Sequence, residues 1–106
     1  MKTVVVTVVK GRAEHLRRQL EGLAHSREQP AGHVVVAMDD DTVAATVRDS
    51  GRHCSVVEHV APGDRLQVAG ARNLGARKGI ESGADLLIFL DVDCIPAPDL
   101  IGRYQR

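Results

Sequence analysis

Two aspartates one residue apart, Asp91 and Asp93, follow a run of five bulky apolar residues, Leu86, Leu87, Ile88, Phe89 and Leu90. A continuous apolar run of this kind reads as a strand buried on both faces, as in a parallel sheet with helices on each side. Side chains alternate along extended backbone, so Asp91 and Asp93 are expected to point the same way. Like charges held that close repel unless a cation or a proton lies between them. The carboxyl edge of a buried parallel strand is also where open α/β sheets bind their ligands. Mg²⁺ or Mn²⁺ takes oxygen ligands of this kind and shares them with substrate phosphates. The plainer alternative is that Asp91 only ends the strand and Asp93 caps a short helix after Pro96.

A second acidic strand end is Asp39, Asp40 and Asp41, and several basic groups are placed to face the acids. Lys10 and Arg12 follow the first strand, and Arg72 stands beside Asn73 early in a later helix. A guanidinium forks onto phosphate oxygens, so an acid pair, a cation and an arginine together outline a diphosphate site. For Arg72 the plainer reading is a solvated helix position. No Ser/His/Asp or Cys/His arrangement is readable. Cys94, beside the acid pair, is expected to be buried packing, as cysteines usually are. His15, His25, His33, His53 and His59 are scattered and read as solvated surface.

The elements that must position these residues are legible from pattern. The β-branched run from Thr3 to Val9 is the first strand. Leu16, Leu20 and Leu23 form the apolar stripe of a helix, with Arg12, Arg17, Arg18 and Glu21 on its outer face. His33 to Met38 is the second strand, and Asp41 or Thr42 caps a short helix over 43–49 that Gly51 stops. A third strand over 55–60, a loop over 61–64 and a helix over 66–82 precede the acid-ended strand. That helix contains Gly70, Gly75 and Gly79. Each costs on the order of 1 kcal/mol relative to alanine, which points to direct packing on the sheet. A corner at Pro96 and Pro98 leads into a last helix from about Asp99.

This alternation predicts an α/β fold, a Rossmann-like three-layer α/β/α arrangement around a mostly parallel sheet, as one domain over residues 1–106. No Gly-x-Gly-x-x-Gly and no Walker lysine loop follows the first strand, which disfavours dinucleotide and P-loop sites. The near absence of aromatics, 2% of 106 residues, argues against single-strand nucleic-acid binding by base stacking. Lys plus Arg number 14 and Asp plus Glu number 14, so no net field favours nucleic acid or an anionic membrane. No apolar run approaches the ~20 residues of a membrane span. Met1, Lys2 and Thr3 lead into a strand with no cleavable signal. Cys54 and Cys94 form no metal-spacing pair and read as free thiols, so a reducing cytoplasm is the expected location.

Four segments, in order, resemble the family 2 glycosyltransferases, in their nucleotide-sugar-binding half of GT-A fold. They are the strand ending Thr7, Val8, Val9; the strand ending Met38, Asp39, Asp40; Ala71-Arg72-Asn73-Leu74-Gly75, similar to the family's Ala-Arg-Asn-x-Gly; and the apolar strand with Asp91-Val92-Asp93. The resemblance implies that Thr7 and Asp40, with Asp39 beside it, lie at the nucleotide, and that Arg72 approaches the base or diphosphate. It places Asp91 near the ribose or metal, and Asp93 on a Mn²⁺ or Mg²⁺ ion that bridges the diphosphate. The implied donor is a UDP- or GDP-linked sugar, with the acceptor unassigned. Two positions depart from the family. The turn after the first strand is Val9-Lys10-Gly11-Arg12 rather than a Pro/Thr-x-Tyr-Asn-like turn, which leaves Lys10 to serve the phosphates, and Asp41 stands where glycine is common.

The resemblance covers only the family's donor half, so the chain is expected to be truncated relative to a full GT-A domain, with the general base outside it. A truncated sheet edge would also favour pairing with another copy. Three rivals remain. A sugar-phosphate nucleotidyltransferase needs a glycine-rich basic loop after the first strand, of which Gly11 and Arg12 are a faint version. A receiver-like phosphoacceptor domain needs its acids there instead. A non-catalytic nucleotide-binding or assembly module needs neither.

Overall fold

The run Thr3–Val9 forms the central strand β1, since its β-branched residues suit a pleated surface covered on both sides. The computed structural model describes residues 2–59 and 68–105. Along the chain follow α1 (Ala13–Ala24), β2 (Gly32–Met38), α2 (Thr42–Ser50), β3 (Ser55–His59), α3 (Val68–Glu81), β4 (Leu86–Phe89) and α4 (Leu100–Gln105). The four strands make one all-parallel sheet in the order β3-β2-β1-β4. The expected loop over 61–64 and helix start at 66 lie outside the described residues.

The period of two along β1 sends its side chains to two different cores. Val9, with Val35 and Ala37 of β2, packs on Leu16 and Leu20 of α1 and on Val43 and Val47 of α2. Val5, Ile88 and Leu90 pack on Leu23 of α1 and Ile101 of α4. On the other face Val4, Val6, Val34, Val36 and Met38 pack on Ala71, with Leu74 against them. Helices α1, α2 and α4 therefore cover one face and α3 the other. This is the three-layer α/β arrangement expected from the alternation.

Gly75 and Gly79 explain themselves. A Cβ added at Gly75 would lie 2.5 Å from Val6 Cγ1 and 3.0 Å from Val36 Cγ2, and one at Gly79 would lie 2.5 Å from Leu87 Cδ2. The backbone of α3 thus rests directly on the sheet. At the end of α2, Gly51 takes φ 74°, and its N–H donates to Arg48 C=O. Open space surrounds its Cα, so Gly51→Ala should cost only the left-handed backbone penalty, about 1 kcal/mol. Urea denaturation of the variant measures it.

Three expectations need correction. Strand β4 is not covered on both faces along its length: it is the sheet's edge, Leu86 and Leu87 are half-buried, and Phe89 is 45% exposed. Neither Asp41 nor Thr42 provides the side-chain cap of α2. Asp40 Oδ1 instead accepts from the Thr42 N–H and hydroxyl. His33 is buried rather than solvated, at 2% exposure.

Candidate functional site

Strands β2 and β3 lie to one side of β1 and β4 lies to the other, so the strand order reverses between β1 and β4. In open α/β sheets a crevice opens at the carboxyl end of such a switch point, where loops diverge to opposite faces. Here it is a cleft of about 290 Å³. Val6, Val8, Met38 and Phe89 line it from the sheet, and Lys10, Arg12, Arg72, Asp91 and Asp93 bring three positive and two negative charges.

Each charged residue is delivered by a different piece of local structure. Lys10 and Arg12 flank Gly11 in the turn from β1 to α1, where Gly11 has φ 63°. That turn is pinned by Asp40, whose Oδ2 accepts the Gly11 N–H at 2.7 Å. The hydrogen bond from the Thr42 hydroxyl, then those from Gly11 and Thr42 N–H, hold the Asp40 carboxyl below the usual carboxylate range. Arg72 stands in the first turns of α3, where Ala71 and Gly75 lie against the sheet and leave its side chain exposed. Its guanidinium lies 5.9 Å from the centre of the Phe89 ring, a cation–π distance. It also approaches Asp91 Oδ1 at 3.4 Å.

Strand β4 ends at Phe89, and the chain then turns: the Cys94 N–H donates to Asp91 C=O at 2.9 Å. The alternation expected of an extended Asp91-Val92-Asp93 is therefore replaced by a turn. Both carboxylates still line the one cleft, because the turn folds against the end of β1. Asp93 does not cap a helix, since α4 begins only at Leu100. Cys94 is exposed, not buried, because the turn carries it outward; both cysteines are free thiols, as expected.

The structure thus gathers Lys10, Arg72, Asp91 and Asp93, together with Arg12, one of the basic groups expected to face the acids. It does not bring Thr7 there. The Thr7 side chain is fully buried on the α1 face of the sheet. Its hydroxyl donates to Gln19 Oε1 at 2.7 Å and lies 2.9 Å from His33 Nε2. A side chain with both hydrogen bonds made in the core has no reach to a base. Asp40 serves the turns beside the cleft rather than lining it, and Asp39, exposed with φ 47°, also stands outside the lining.

For a divalent ion the donor set is two exposed carboxylates, Asp91 and Asp93. Among the described residues, no group of three or more His, Cys, Asp or Glu converges. Such a set does not make an all-protein cage. It fits the way Mg²⁺ is usually held, by one or two carboxylates with substrate phosphates supplying the rest. A larger groove of about 400 Å³ lies between α1 and α2. Its Glu14, Arg17 and Glu21 pair with one another along α1. Among the described residues, no helix is long and apolar enough to cross a membrane. No protein-family model matches the chain, and no curated protein matches it.

Proposed function

We propose that this chain is the donor-binding part of a metal-dependent, inverting glycosyltransferase, taking a nucleotide-diphosphate sugar. One observation carries the reading. Residues from three distant segments, Lys10 and Arg12, Arg72, and Asp91 with Asp93, line a single cleft at the switch point of a parallel sheet. Cations and carboxylates there match the two halves of a metal–diphosphate complex. The apolar floor of Val6, Val8 and Met38 suits the flat face of a base or ribose.

The Arg72–Asp91 pair supports this assignment. Its side chains are 51% and 75% exposed, and exposed pairs of this kind contribute little to stability, about 0–1 kcal/mol. A ligand bearing both an anion and a cation separates them readily: Arg72 turns to phosphate oxygens and Asp91 to the ion. Asp93, with Asp91, would hold that ion, which when bound neutralises charge growing on the diphosphate leaving group. Lys10 and Arg12 face the same oxygens from the β1 side. Transfer also needs a base for the acceptor hydroxyl, and the reading places that base outside these residues. A second reading, nucleotide binding without transfer, draws on the bareness of the acid set, two carboxylates and no third among the described residues.

Calorimetric titration with UDP, GDP, CDP and their sugars, with and without Mn²⁺, tests the proposal. One nucleoside diphosphate should bind with a clear Mn²⁺ dependence, Asp93→Ala should abolish that dependence, and Arg72→Ala should weaken binding in its presence and absence alike. Equal binding with and without the metal would sink the metal reading. No binding by folded protein would sink the donor site itself. Donor hydrolysis or transfer, followed by release of the free diphosphate, separates the two readings.

A further inference from the structure

Behind the cleft runs a line of buried polar side chains that the proposed chemistry does not use. Gln19 is fully buried, in the same stripe of α1 as Leu16, Leu20 and Leu23. Its Nε2 donates to the carbonyls of Asp91 at 2.7 Å and Cys94 at 3.0 Å. Those two carbonyls bracket the turn that carries Asp93. The amide orientation is dictated by its partners, since a reversed amide would set its oxygen against two carbonyl oxygens.

The remaining protons then fall into place. Gln19 Oε1 accepts from the Thr7 hydroxyl. Having donated, Thr7 Oγ1 is the acceptor in its contact with His33 Nε2, so His33 is the neutral tautomer with hydrogen on Nε2. Its Nδ1 is left to accept from the Cys54 thiol, 3.7 Å away. Donation runs one way from Cys54 through His33, Thr7 and Gln19 to the backbone of the acidic turn. Burial favours the neutral form of both titratable members, lowering His33 to about 4 and raising the Cys54 thiol.

We infer that Gln19 is a positioning residue for the acidic turn: its amide, oriented by Thr7 and His33, clamps the Asp91 and Cys94 carbonyls and so sets where Asp93 stands in the cleft. The functional meaning of this clamp rests on the donor-site reading; the clamp itself does not. A residue at 19 that packs but cannot donate removes the side-chain donor from the Cys94 carbonyl and leaves the Asp91 carbonyl with the Cys94 N–H of the turn. Outer partners of this kind typically change metal affinity by roughly ten- to a hundredfold when removed.

The test uses the whole chain and two readouts. Gln19→Met keeps the length and the apolar contacts but donates nothing. Amide hydrogen exchange should show Cys94 protection falling by roughly tenfold more than that of Val6 or Val36, as expected for the loss of one to two hydrogen bonds. Mn²⁺-dependent UDP or GDP binding should weaken roughly ten- to a hundredfold. Gln19→Glu should bind better relative to wild type as the pH is lowered, because a protonated carboxyl regains one donor. Equal loss of protection at Cys94 and in the central strands would mean a general core role and would overturn the inference. If nucleotides fail to bind wild type while the exchange result holds, the donor reading fails and the clamp stands. Should Gln19→Met not fold, the wild-type Gln19 side-chain NH₂ decides: slow exchange and contacts to residues 91 and 94 support the clamp, and free exchange refutes it.

Discussion

Lowering the pH from 7 to 5 should destabilise the folded chain by about 2 kcal/mol, and the loss should approach about 3 kcal/mol by pH 4. The cause is His33. Buried beneath α1, with the Arg52 charge opposing a second positive charge, it takes a proton only at about 4, against its ordinary 6.5. Below 6.5 the unfolded chain binds a proton that the folded chain refuses. Stability from this group is therefore complete above 6.5 and is lost as the pH falls toward the folded value. Glu14 and Asp40, held below their ordinary carboxyl values of 4.5 and 3.8, begin to lose their contributions only below that range. Among the described residues, the window between 6.5 and 4.5 belongs to His33. Urea denaturation at intervals of half a pH unit measures it, with His33→Gln as reference. The variant's profile should be flat across that window, and a flat wild-type profile would show that His33 is not held neutral.

Substituting Gly75 by alanine should cost about 2 kcal/mol, although alanine is the better helix former by about 1 kcal/mol. The new methyl would sit 2.5 Å from Val6 Cγ1 and 3.0 Å from Val36 Cγ2. Both belong to β-branched side chains on the two innermost strands, fully or almost fully buried, and such side chains have little rotamer freedom. The helix must therefore lift. Gly79→Ala makes an equally short contact on paper, 2.5 Å, but with Leu87 Cδ2, the tip of a flexible side chain on the edge strand. That tip can rotate away, and the gain in helix propensity offsets what remains, so the net change should be within about 1 kcal/mol. Equal effects at the two positions in thermal or urea denaturation would refute the distinction.

Much of the architecture was legible because period and punctuation agree with tertiary packing. The valine runs became β1 and β2, the leucine stripe became the buried face of α1, and Gly51 ends α2 in the left-handed conformation. Gly75 and Gly79 of α3 were readable as close contacts because nothing else justifies their cost in a helix. The acid pair was readable as lying at the carboxyl edge of the sheet because it follows an apolar strand, whereas Arg72 was grouped with it through the family resemblance and lines the same cleft from α3. What escaped notice was the buried polar line. The family resemblance put Thr7 at the nucleotide, and residue type put His33 at the surface, ahead of what position implied. Yet Thr7 alternates with the buried Val5 and Val9, and His33 alternates with Val35 and Ala37. Gln19 interrupts the leucine stripe. Period alone could have put all three in one core; which of them meet required the register of β1 with β2, Val5 opposite His33. The exposure of Phe89 was hidden for another reason. An apolar run reports how sticky a strand is, but not whether it lies in the middle of a sheet or at its edge.

The register of the sheet has one more consequence, for the order in which the cleft comes into being. Thr3 pairs with Leu86 and Val6 with Phe89, partners far apart in sequence. A ribosome delivers β1, α1 and β2 early, and these can associate through nearby contacts as they emerge. The wall made by β4 and the acidic turn arrives after everything from β1 to α3 has been synthesised. Closing so long a loop carries an entropic cost that only the finished edge contacts repay. The basic side of the cleft is thus laid down first and waits for its acidic side. A nascent chain that has grown past Arg72 but not yet reached residue 91 carries the cations of this site without the carboxylates that balance them.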